Sequence, residues 1–108
     1  MTLKFSKNWG NKLDDQVFTT IRQDNSYWQT QVKEKHDILL KGEKYCEAAL
    51  IWVIPISIDN ITESLAREDA DMSRKDLVKM LKSMYGENPD LQLLCWEKIF
   101  GSQKTVVV

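Results

Sequence analysis

The sequence predicts an α+β fold, a small curved β-barrel or partly open sheet with helices covering a cleft at its mouth. Three observations predict it. Strand-like segments recur through the first half, with a long apolar run at 48–54 among them; two capped amphipathic helices follow; and one more strand closes the chain. Strands interrupted in this order do not suit a parallel doubly wound sheet, which alternates strand and helix throughout. One domain over 1–100, followed by a tail at 101–108, is the natural division, since 108 residues match the usual size of a single core.

Residues 3–5 read as a short strand, and 7–13 as a helical turn or two, with Trp9 and Leu13 four apart and Ser6 placed to cap. Phe18-Thr19-Thr20-Ile21-Arg22 follows as a strand. Its alternation sets Phe18, Thr20 and Arg22 on one face, Thr19 and Ile21 on the other. Asp24-Asn25-Ser26 introduces a short helix carrying Tyr27, Trp28, Gln31 and Val32, whose aromatics face inward or line a pocket. Strands at 36–40 and 44–54 join across Lys41-Gly42-Glu43 as a hairpin. The second strand is apolar on both faces over 48–54, the pattern of a strand covered on both sides, and Pro55 marks an edge, bulge or bend at its end.

The second half is more regular. Asn60 and Glu63 have capping-box spacing and open a short helix that holds Ile61, Leu65 and Ala66 toward the core. Ser73 with Asp76 repeats the device. The next helix presents Leu77, Met80, Leu81, Met84 and Tyr85 at i, i+3, i+4, i+7 and i+8, a stripe read as core packing, and Gly86 stops it. Asn88-Pro89-Asp90 is a turn. A last strand at 91–100 alternates Leu91, Leu93, Cys95 and Ile99 with Gln92, Leu94, Trp96, Lys98 and Phe100. The tail, ending Val106-Val107-Val108, either frays or adds to a sheet edge.

Hydrophobic residues make up 43% and charged residues 29%, a globular balance that argues against disorder. No apolar run approaches the roughly 20 residues that span a bilayer. Residues 1–10 lack the apolar core of a secretory signal, so a cytoplasmic location is the default and no membrane partner is expected. Cys46 and Cys95 lie in apolar runs and read as buried free thiols; two isolated cysteines make no zinc spacing, so no metal is expected. His36 is the only histidine. A nucleophilic triad would have to be built on it, against a plain place on the hairpin surface. The net charge of -1 argues against wholesale wrapping of nucleic acid. Residues 1–45 nevertheless carry eight Lys and Arg against six Asp and Glu, or +2, while 46–108 carry seven against ten, or -3.

The candidate site is the Thr-x-Arg strand end. Thr20 and Arg22 share a face, and a guanidinium is a permanent cation whose planar fork suits phosphate, carboxylate or a base edge. The alternative is that Arg22 only pairs with an acidic loop.

In its order of elements the chain resembles the ASCH domain family, a branch of the PUA-like superfamily, over about 9–100. The resemblance rests on Thr20-Ile21-Arg22 after an N-terminal helix, the Tyr27-Trp28 segment, the hairpin into 49–54, the stretch Ile58-Asp59-Asn60-Ile61-Thr62-Glu63-Ser64-Leu65, the helix that starts near Asp71-Met72-Ser73 and runs to Met84-Tyr85, and the closing Leu93-Leu94-Cys95-Trp96-Glu97-Lys98. The similarity is strongest to small bacterial members, which include acetylcytidine amidohydrolases. It implies a PUA-like barrel, a cleft between barrel and helices, and binding of RNA, a nucleotide or a modified nucleoside, with no cofactor. Thr20 matches the motif threonine and Arg22 the motif arginine. The family's lysine falls at Val17 and its glutamate at Ala70, so of the Lys, Thr, Glu catalytic set only Thr20 is kept. Lys12 is a possible substitute for the amine, and Glu68, Asp69 or Asp71 for the carboxylate.

Two principal readings follow. The first is a noncatalytic binding module using Thr20, Arg22 and Lys12, with Tyr27 or Trp28 stacking a base. The alternative is an amidohydrolase of acylated nucleosides such as acetylcytidine, with Thr20 catalytic. A third is an interaction protein that pairs through a sheet edge or the valine tail.

Overall fold

The structure, a computed structural model, describes residues 2–5 and 7–99. The expected Ser6 cap, the Trp9 side chain, Phe100 and the tail lie outside the described residues. Five strands, β1 (Thr2–Phe5), β2 (Val17–Gln23), β3 (Lys35–Leu40), β4 (Glu43–Ile56) and β5 (Leu91–Lys98), form one sheet in the order β1-β3-β4-β5-β2. Only β1 and β3 run parallel; the other neighbours are antiparallel. The sheet is curled into a half-barrel, which makes the fold mixed α+β as expected. Its edge strands, β1 and β2, share no strand pairing among the described residues and are linked instead by a ring contact and a side-chain hydrogen bond to backbone. Phe5 meets Phe18 edge to face at 6.2 Å, and Arg22 Nη2 donates to the Lys4 carbonyl at 3.1 Å. This seam borders the cavity that holds Thr20 and Arg22.

Local chemistry explains the elements. Lys41 and Gly42 both have positive φ, 52° and 84°, the signature of a two-residue type I′ hairpin between β3 and β4. A 3₁₀ helix at Trp9–Asp14 leads into β2, and α1 (Ser26–Thr30) is capped by the Asn25 side chain, which accepts from the Tyr27 N–H. Helix α2 (Glu63–Ala70) is capped by Thr62, accepting from the Leu65 N–H at 3.0 Å. The expected cap, Asn60, instead ends a 3₁₀ turn at Ile58–Asn60, and Glu63 accepts from the Arg74 N–H. Helix α3 (Arg74–Tyr85) begins at the expected Ser73 cap and stops at Gly86, whose φ is 100°.

Two apolar clusters share the sheet. Inside the curl lie Leu13, Phe18, Ile38, Leu50, Leu94 and Trp96; on the outer face, Ile21, Leu91 and Leu93 meet Ile61, Ala66, Leu77 and Leu81 under α2 and α3. The doubly covered strand is therefore β5, buried at every position over 91–96, and not the run at 48–54. There the expectation is corrected: Ile51, Trp52 and Ile54 are 38–45% exposed. The reason is that β3 stops opposite Ala49 and the helices cover β2 and β5, so β4 runs on with an open side. The same open side tolerates Pro55, which pairs with Gln92 inside the strand, since a free edge needs no N–H there. His36 is likewise corrected, from surface to 1% exposed, wedged 5.2 Å from the Trp96 ring and 5.8 Å from Trp28. Cys46 and Cys95 are free and buried.

Candidate functional site

Between the seam and the helices lies a cavity of about 260 Å³. Its floor comes from β1, β2, the first 3₁₀ helix and the end of α2, which supply Lys4, Lys12, Thr20, Arg22 and Asp69. Its roof is apolar: Met80, Met84 and Tyr85 come from the stripe of α3 that periodicity reads as core, with Leu77 and Leu81 behind them. Met84 is 58% exposed, so the stripe is core at its inner rows and cavity wall at its outer one.

Burial is what makes the floor unusual. Lys12, only 5% exposed, reaches over the seam and donates to the Thr19 carbonyl at 2.7 Å. Its ammonium stands 3.5 Å from Asp69 Oδ1, which also accepts from the Thr19 hydroxyl at 2.9 Å. Burial lowers the pKa of the Lys12 amine, opposed by the Asp69 carboxylate and reinforced by Arg22; the same burial raises Asp69 against the pull of Lys12. Both partners are thus driven toward their neutral forms.

Arg22 stands next to them. Its Cζ lies 5.1 Å from the Phe5 ring centre, and Lys12 Nζ lies 5.3 Å from the same ring. Burial weighs against its charge, yet a guanidinium stays protonated at any working pH. Its Nε is buried and has no hydrogen-bond partner among the described residues. Thr20 is 2% exposed; its hydroxyl accepts from Trp96 Nε1 at 3.2 Å and lines the cavity where the seam parts.

The structure brings Thr20, Arg22, Lys12 and Asp69 together. Asp71, in a left-handed conformation after α2, and Glu68 are exposed and stand outside this cavity. Tyr27 and Trp28 stand outside it too, because Trp28 packs into the half-barrel against Trp96 and His36, while the Tyr27 ring packs on Trp28. Of the two positions where the ASCH motif would carry its lysine and glutamate, Ala70 lines the cavity and Val17, 47% exposed, faces a second hollow beyond the Lys12–Asp69 pair. Sequence reasoning missed Thr19 and the α3 wall, and reached Lys4 only as one of eight basic residues in the first 45, a patch able to steer an anionic ligand. The alternation that puts Thr19 beside Ile21 is the signal for the first; the pairing that brings Lys4 to Arg22 left none.

No family model, curated protein or solved structure matches the chain. Among the described residues, no group of His, Cys, Asp and Glu is placed to hold a metal ion, and no helix is long and apolar enough to cross a membrane.

Proposed function

We propose that this is an ASCH-type, PUA-like protein that binds a nucleotide or modified nucleoside in the seam cavity. One observation carries the reading: a hydroxyl, a guanidinium, an amine and a carboxylate from three separated stretches of sequence line the same hollow. Such convergence of polar groups beneath an apolar roof is how small-ligand sites are built. The cavity lies just below the roughly 300–1,000 Å³ of drug-sized pockets, which favours one base or nucleoside over a run of RNA. The position of Tyr27 and Trp28 away from it points the same way, since single-strand binding relies on aromatic platforms. Arg22→Ala is expected to weaken binding in a titration against nucleosides and nucleotides while the protein stays folded. Unchanged affinity removes the assignment.

A second reading, hydrolysis of an acylated nucleoside such as acetylcytidine, is favoured specifically by the Lys12–Asp69 pair. Amide hydrolysis needs a base for the nucleophile's proton and donors for the developing oxyanion. A lysine whose amine burial moves toward neutrality is a base of the right kind, and the Asp69 carboxylate stands 3.5 Å from it. Acetate release from acetylcytidine, abolished by Lys12→Met, is the expected result. No release over hours at high protein concentration would reject it.

A further inference from the structure

We infer that the ligand of the seam cavity carries a phosphomonoester, which Arg22 and Lys4 hold at the β1–β2 edge. The inference rests on the nucleotide or nucleoside reading of that cavity and narrows it. The argument is one of charge and of an unused donor. The charged groups lining the cavity are Lys4, Lys12, Arg22 and Asp69. Lys12 and Asp69 cancel whichever of them holds the proton, because the pair is neutral overall in either state. Arg22 and Lys4 therefore leave a surplus of two positive charges. A neutral nucleoside does nothing for that surplus, and a carboxylate offsets half of it. A phosphomonoester, at about -1.5 to -2 near neutral pH, matches it.

The donor geometry agrees. Arg22 spends Nη2 on the Lys4 carbonyl, which fixes the guanidinium plane across the seam. Its Nε is left buried and, among the described residues, without a partner, a costly state for a charged donor unless something accepts from it. A phosphate oxygen is the acceptor a guanidinium fork is shaped for. Lys4 lines the same cavity and is exposed, so its long side chain can follow the anion. The cation also rests on the Phe5 ring beside Lys12, so an anion there relieves the repulsion between the two cations.

The test is a titration of the intact protein, followed by the NMR signal of the Arg22 Nε–H, with inorganic phosphate, the four ribonucleosides and their 5′-monophosphates. Inorganic phosphate is expected to shift that signal. At least one monophosphate is expected to bind about tenfold or more tightly than its own nucleoside, a preference that fades with added salt. Arg22→Gln should erase the preference and Lys4→Ala reduce it; the second, an exposed position, keeps the test open if the first fails to fold. A monophosphate no tighter than its nucleoside overturns the phosphate assignment and leaves the nucleoside reading standing. Phosphate binding that depends on Arg22 while no nucleotide is preferred over phosphate itself supports the anion site and removes the nucleoside reading. An Arg22 signal unmoved by every probe overturns both.

Discussion

The interior of the half-barrel and the seam at its edge both bury polar groups, but of opposite kinds. Inside, Trp96 and His36 are neutral groups among aromatic rings, and Trp96 donates to the hydroxyl of Thr20, which stands at the boundary between the two regions and ties β5 to β2. At the seam, Lys12, Asp69 and Arg22 are ionisable and lie against a cavity. Buried ion pairs seldom stabilise a fold better than apolar residues of the same volume would. The difference separates polar groups that pack the fold from polar groups that burden it: those the interior keeps are packing elements, and those at the seam are costly to the fold and, on the proposed reading, serve a ligand.

The comparison is broken most severely by Trp96→Ala. The Trp96 side chain is fully buried in the inner cluster, and its loss is expected to cost about 3–5 kcal/mol in denaturant unfolding. A cost under about 1 kcal/mol would mean that the interior is not the packed unit described. Lys12→Met comes next, at roughly 3 kcal/mol near neutral pH, because it strands Asp69 without its partner. Combining it with Asp69→Leu should recover most of that loss. If the double variant stays as unstable as the single one, the pair belongs to the fold and the contrast between the two regions fails.

How much of this was legible in the sequence follows from the range of the interactions. The strands, the hairpin across Lys41-Gly42, the short helix after Asp24-Asn25-Ser26 and the Ser73 cap are local, and the sequence signals them. Thr20 and Arg22 were readable as a pair because strand alternation is local too. The seam was not, since it depends on which strands end the sheet, and neither Lys4 nor Phe5 carries a mark of meeting Arg22. The run at 48–54 misled for the same reason. Its composition matches a covered strand, but cover is supplied by β3 and the helices, and both lie elsewhere.

A smaller effect separates the two regions by pH. Burial lowers His36 below its ordinary 6.5, so the unfolded chain takes up a proton that the folded one refuses. Its contribution is therefore complete above pH 6.5 and is lost as the pH falls from there toward the lowered folded value. The slope cannot exceed about 1.4 kcal/mol per pH unit. His36→Phe, which keeps the ring contact with Trp96, should flatten stability between pH 5 and 7 and leave ligand binding unchanged. An unaltered pH profile would show that His36 titrates normally. The smallest stability effect is expected at Arg22: Arg22→Ala removes one hydrogen bond and one ring contact and should cost at most about 1 kcal/mol, although it removes binding.

The central claim is that the seam, and not the aromatic interior, is the ligand site. Amide NMR during titration with ribonucleoside monophosphates tests it most directly. The expected map shifts Thr20, Ile21, Arg22, Asp69, Ala70 and the outer row of α3, and leaves Tyr27, Trp28 and His36 in place. Shifts centred on Tyr27 and Trp28, with Arg22 and Asp69 unmoved, would contradict it.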